Sequence, residues 1–282
     1  MTPEASRDPS SATPDVMTGR ALEVIVLGAA PSAPQIDGQG SGVLVRAGRD
    51  TLLLDCGLGV SSGLLSLMDP GALSAIVITH FHADHFLDLV SLRYHLPWAG
   101  VDGARIEVLL PPGGIGRLEI LADVISESTD FFARALDLRE YDPERPVRIG
   151  SLTLSFVPTR HYVPGWAVTV ATDDGRRVLY TGDTGPSDAV LEAARDVDLL
   201  VVEGTLGGVH EDVTERGHLT ADEALEMARE AGVRRVLLTH LATRRRAAIR
   251  GRTIGTRPRV HVARPGLRLT IPPPASHPHR RG

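Results

Sequence analysis

Short apolar runs recur along the chain, and several of them stop at an aspartate or a histidine. Residues 22–27 predict an opening strand. Residues 42–47 and 51–54 predict a hairpin around Gly48-Arg49-Asp50. The continuous apolar run 75–78 reads as a buried strand, and 86–92 as the start of a helix. Residues 60–68 predict a helix, 106–110 a strand, 115–126 an amphipathic helix and 129–142 a second short helix. Residues 152–157 alternate as a strand does, and 166–172 pairs with 177–180 across Asp173-Asp174-Gly175. Ser187 caps a helix reaching Ala194, and 198–203 is a strand. Thr220 and Glu223 form a capping box for the helix over 221–231, which Gly232 closes. Strands over 235–239, 259–263 and 267–271 finish the sheet before Pro272-Pro273-Pro274. The alternation of strands and helices predicts an α/β domain over 21–272, between disordered tails at 1–20 and 273–282.

The chain's 282 residues suffice for one large domain with a substantial core, and 42% hydrophobic and 23% charged residues are ordinary for a globular protein. An aromatic content of 4% argues against a base-stacking nucleic-acid platform. The single cysteine, Cys56, leaves no internal disulfide and no multi-cysteine zinc site. No leader or long apolar stretch is visible, so a cytoplasmic protein with no membrane association is expected. All 30 basic residues are arginine, which removes Schiff-base, P-loop and Ser/Lys chemistry. The net charge of −5 is uneven: no acidic residue follows Glu230, whereas thirteen arginines lie between Arg234 and Arg281. That basic segment either receives an anionic substrate or is a solvated surface. The same two readings apply to Arg244 within Arg244-Arg245-Arg246.

The densest chemistry is Thr79-His80-Phe81-His82-Ala83-Asp84-His85. Imidazoles and carboxylates are the N and O ligands that zinc takes. In an extended stretch His80 and His82 point the same way, while the turn into a helix lets Asp84 and His85 reach a second position, so a pair of metals suits the segment. More ligands are then needed, and His161, Asp183 and His240 each stand just past an apolar run. Glu203 ends another run and His218 precedes the capped helix. Either the pair forms a proton donor, the carboxylate raising the imidazole pKa, or the two are a surface carboxylate and a capping neighbour.

The motif of His80, His82, Asp84 and His85, with the Asp55-Cys56-Gly57 turn before it, resembles the metallo-β-lactamase superfamily from about Leu22 to Ile271. That resemblance implies a four-layer αββα sandwich with the site at one edge. It implies one Zn²⁺ on His80, His82 and His161, a second on Asp84, His85 and His240, and Asp183 bridging both, with Mn²⁺ or Fe as other occupants. Glu203-Gly204-Thr205 and His218-Leu219-Thr220-Ala221-Asp222-Glu223 are further similar to the ribonuclease Z branch, as is the segment 231–241. In that branch the Glu and His act together, and Asp84 would additionally orient the attacking water. Members that process transfer RNA carry a long Gly- and Pro-rich arm before the bridging Asp, but only 21 residues separate His161 from Asp183 here. The expectation is therefore a dinuclear zinc hydrolase, a phosphodiesterase acting on a small anionic ester. RNA remains a possible partner, transfer RNA is not favoured, and a homodimer is expected. The rival readings are a lactonase, thioesterase or arylsulfatase on the same fold, and a non-catalytic metal-binding scaffold.

Overall fold

The computed structural model describes residues 21–36, 38–98, 105–207, 216–253 and 257–273. The expected tails lie outside these apart from Pro273. In chain order the elements begin β1 (Leu22–Gly28), β2 (Gly42–Ala47), β3 (Asp50–Leu54), α1 (Val60–Leu65), β4 (Ala75–Val77), α2 (Ala83–Phe86) and α3 (Leu89–Trp98). Next come β5 (Ile106–Leu110), α4 (Gly114–Ser126), β6 (Leu136–Glu140), β7 (Val147–Ile149), β8 (Leu152–Pro158), β9 (Trp166–Thr172) and β10 (Arg177–Tyr180). The chain continues with α5 (Asp188–Ala193), β11 (Leu199–Glu203), α6 (Ala221–Glu230), β12 (Arg235–Thr239), α7 (Thr243–Thr253), β13 (Arg259–Val262) and β14 (Arg268–Ile271).

The strands form two mixed sheets, ordered β14-β1-β2-β3-β4-β5-β6 and β13-β12-β11-β10-β9-β8-β7. Both faces of each sheet are covered, and the period of two sorts the side chains between them. Val24, Val45, Leu52 and Leu54 of the first sheet meet Val168, Val178, Val201 and Leu237 of the second in one inter-sheet core. On the opposite face of the first sheet, Ile25, Leu53 and Ile76 turn outward onto Leu89 and Leu92 of α3 and Leu118 of α4. On the other side Leu200, Val202 and Leu238 pack on Ala224 and Ala228 of α6. The result is the αββα sandwich that the resemblance implies.

Two expectations are corrected, and one element was not anticipated. Residues 129–142 do not form a helix but end in β6, which pairs parallel with β5 from Ile106↔Leu136 to Leu110↔Glu140. The pattern misleads because β6 is an edge strand with three exposed or half-exposed charged positions. The last two strands do not finish one sheet: β13 joins β12 in the second, whereas β14 joins β1 in the first. The arginine-rich segment after His240 is the helix α7, unannounced because its side chains show little amphipathic order.

Candidate metal centre

The parallel strands β4, β11 and β12 and the strand β10 deliver their C-terminal ends to one edge of the sandwich. His80, Asp183, Glu203 and His240 follow or close those strands, so convergence there is a consequence of topology. His82, Asp84 and His85 enter through the loop into α2, and His161 through the turn after β8. The metal-capable atoms of His80, His82, His161 and Asp183 lie within 4.8 Å of one another, and so do those of Asp84, His85 and His240. Asp183 Oδ2 is 3.3 Å from His85 Nε2, 3.7 Å from His80 Nε2 and 3.8 Å from His161 Nε2. Its Oδ1 is 3.5 Å from His240 Nε2, so the carboxylate faces both groups. The seven sequence-selected ligand candidates therefore gather in one place.

The donor set fits divalent cations. His80 Nε2, His85 Nε2, Asp84 Oδ1 and Asp183 Oδ1 are buried without a hydrogen-bond partner. Four such atoms on residues of one cluster are costly unless a cation satisfies them. Nitrogen and oxygen donors with no thiolate suit Zn²⁺, and also Mn²⁺ or Fe. Burial lowers the pKa of His80, His82 and His161, which favours the neutral imidazole that a metal needs. Burial also opposes charge on His85, but the carboxylates of Asp183 and Asp55 outweigh it and hold that imidazole above its ordinary value.

The surrounding hydrogen bonds fix the imidazole tautomers. His85 Nδ1 donates to Asp55 Oδ2 at 2.7 Å. The Thr79 hydroxyl donates to the same oxygen and faces His80 Nδ1 at 3.0 Å, so it accepts from that ring. His161 Nδ1 donates to the Gly217 carbonyl at 2.6 Å. Thr205 donates to Glu203 Oε2 and accepts from His240 Nδ1 at 2.7 Å. Each of these rings is thereby left with its Nε2 lone pair directed at the cluster, as metal-ligating histidines require.

Asp55 is the hub that the sequence did not single out for this part. Fully buried at the end of β3, it also takes the Tyr180 hydroxyl at 2.8 Å and the Thr79 backbone N–H at 2.8 Å. Its φ of 60°, like the 56° of His240, places a non-glycine residue in the left-handed region beside the cluster. The Asp-x-Gly turn signalled the bend but not the acceptor. Gly182, at φ 56°, supplies the bend that presents Asp183, and a Cβ there would stand 2.9 Å from Thr79 Oγ1.

Glu203 and His218 also meet. His218 Nδ1 is 2.8 Å from Glu203 Oε1, which further accepts from the Thr184 N–H at 2.9 Å. Burial pushes the His218 pKa down, but the hydrogen bond and charge of Glu203 outweigh it and raise the pKa. His218 is half-buried and its Nδ1 lies 3.9 Å from Asp183 Oδ2, on the open side of the cluster. The arginine run divides three ways. Arg246 is buried and donates to the carbonyls of Leu241 and Ala29, Arg245 donates to the Thr205 carbonyl, and Arg244 is exposed. Among the described residues, no helix is long and apolar enough to cross a membrane.

Comparisons with known proteins bear on this geometry. The model of the beta-lactamase superfamily domain matches residues 50–241, which include every residue of the cluster. The probable metallo-hydrolase YhfI of Bacillus subtilis is 31% identical over 220 residues, covering 78% of this chain and 87% of that protein. Its crystal structure superposes with a TM-score of 0.76 at 26% identity, over 89% of this chain and all of that one. Ribonuclease Z of Methanosarcina mazei is 30% identical over 269 aligned positions that take up only 79% of this chain and 88% of that protein, so the alignment carries insertions that this chain lacks. The family match over these residues, on a fold with both mixed sheets in place, makes the chain a member of the metallo-β-lactamase superfamily.

Proposed function

We propose that the chain is a dinuclear metal-dependent hydrolase, a phosphodiesterase acting on small anionic esters. The observation that carries the reading is the Glu203–His218 pair standing beside Asp183 at the mouth of the cluster. His80, His82 and His161 would hold one cation, Asp84, His85 and His240 the other, with Asp183 between them. Held there, divalent cations would lower the pKa of water and offer positive charge to a phosphoryl oxygen.

The chain's own groups supply the rest. Asp84, whose Oδ1 is buried without a hydrogen-bond partner and whose Oδ2 stands 3.1 Å from His240 Nε2, orients the attacking water. His218, whose protonated form the Glu203 carboxylate favours, delivers a proton to the departing oxygen, which matters most when that alcohol is a poor leaving group. Glu203 is fully buried, and Thr184 and Thr205 hold its two oxygens, so the acceptor that orients His218 is itself fixed. The ribonuclease Z relative supports phosphodiester chemistry. Turnover of bis(p-nitrophenyl) phosphate by the zinc-loaded protein, set against a lactone, a thioester and an aryl sulfate, tests the reading. Faster hydrolysis of any of the other three would overturn it.

A further inference from the structure

One residue at the mouth of the site belongs neither to the ligand set nor to the acid pair. Tyr162 directly follows His161, is 60% exposed, and has its ring centroid 5.2 Å from that of His161 and 5.6 Å from that of His218. A single exposed ring is ordinary on a protein surface, so what matters here is its place beside the two histidines. This one is seated rather than loose. A Cβ on Gly217 would lie 2.9 Å from Tyr162 Cε2 and 3.0 Å from His161 Nδ1, so the bare backbone of Gly217 is where both rings rest. The tyrosine thus stands at a defined place between a cluster histidine and the proposed proton donor, with much of its surface open to solvent.

The position of the donor says which part of a substrate meets that ring. This step rests on the proposed function: a proton from His218 goes to the departing oxygen, so the departing alcohol lies on the His218 side. A group attached to that oxygen must run past Tyr162. We infer that Tyr162 is the specificity-determining wall for the leaving group, selecting esters whose departing alcohol carries a planar aromatic or heteroaromatic ring. Stacking on an aromatic side chain tolerates any such ring, because each presents a π-face.

Binding separates this from turnover. The zinc-loaded protein is titrated calorimetrically with phenylphosphonate and with methylphosphonate, two inert anions that differ in the ring alone. Wild type is expected to prefer phenylphosphonate by about tenfold, the scale of one stacking contact. Tyr162→Phe retains that preference. Tyr162→Ala and the volume-keeping Tyr162→Leu bring the ratio close to one with methylphosphonate affinity unchanged, their zinc content being measured alongside. An undiminished preference in both of those variants overturns the wall while leaving the phosphodiesterase reading intact. Failure of wild type to bind either phosphonate overturns both.

Discussion

His218 Nδ1 and Glu203 Oε1 stand 2.8 Å apart, joining a half-buried imidazole to a carboxylate with no exposure. A carboxylate so placed fixes the ring and favours its protonated form. We expect His218→Ala to slow hydrolysis of an alkyl phosphodiester about 10²–10⁴-fold while leaving the bound metal in place. Hydrolysis of a nitrophenyl diester, whose leaving group needs no proton, should fall far less. Equal losses on the two substrates would remove the donor role.

Asp183 faces both groups of ligands, so its loss should empty the site rather than half of it. Asp183→Ala, and likewise His82→Ala, is expected to abolish turnover together with metal binding, read by elemental analysis of the purified variants. Chelation of the wild-type protein should lower its Tm, because the buried oxygen and nitrogen atoms of the cluster lose their counter-charge. Identical melting with and without chelator would count against a metal at this place.

Asp55 accepts hydrogen bonds from His85, Tyr180 and Thr79 at once. In Asp55→Asn a donating amide enters a pocket built wholly of donors, and His85 loses the partner that orients it. Metal affinity should weaken about 10–100-fold, as outer-shell substitutions generally produce. Competition with a fluorescent zinc chelator measures it, and an unaltered affinity would make Asp55 a purely structural residue.

Two glycines should respond in opposite directions. A Cβ on Gly57 would fall 1.8 Å from the Asp84 carbonyl and 2.8 Å from the Ser41 N–H, both backbone atoms that cannot step aside. Gly57→Ala should cost about 3 kcal/mol in urea unfolding and displace the α2 loop. Gly116, exposed inside α4 with nothing within 4 Å of its would-be Cβ, should gain about 0.5–1 kcal/mol from Gly116→Ala. Similar effects at the two positions would contradict the packing around the cluster.

Cys56 is fully buried, and burial together with the charges of Asp88 and Asp55 raises its thiol well above the ordinary range. The native protein should resist iodoacetamide under mildly alkaline conditions, and the denatured protein should take up one equivalent, read by mass. An unfolded thiol ionises near about pH 8.5 and the folded one does not, so this contribution to stability is complete below that pH and is lost as pH rises above it. Rapid native labelling would place Cys56 nearer solvent than its neighbours allow.

Much of the site was legible because its residues stop apolar runs. His80, Asp183, Glu203 and His240 each mark the end of a strand that the run itself announces. What stayed hidden needs the third dimension. Asp55 looks like half of a turn signal until Tyr180 is brought across from the other sheet to meet it. Thr205 reads as a neighbour of Glu203 until its hydroxyl is seen facing His240, a residue 35 positions away. Tyr162 gives no local cue, since only the approach of Gly217 gives its ring a seat. Among the elements, β6 was missed because edge strands relax the apolar pattern, and α7 because Arg246 is buried through hydrogen bonds to carbonyls rather than through apolar contact.

The antiparallel pairing of β14 with β1 sets Ile271 directly opposite Leu22, bringing the first and last described strands side by side. A short linker across that pair, with fresh termini cut in the turn between β9 and β10, would yield a circular permutant with every strand neighbour kept. Because Asp173-Asp174-Gly175 sits at the far end of β10 from Asp183, such a rearranged chain should still take up metal. A permutant that folds but binds none would mean that the original order of synthesis, and not the finished architecture, assembles the site.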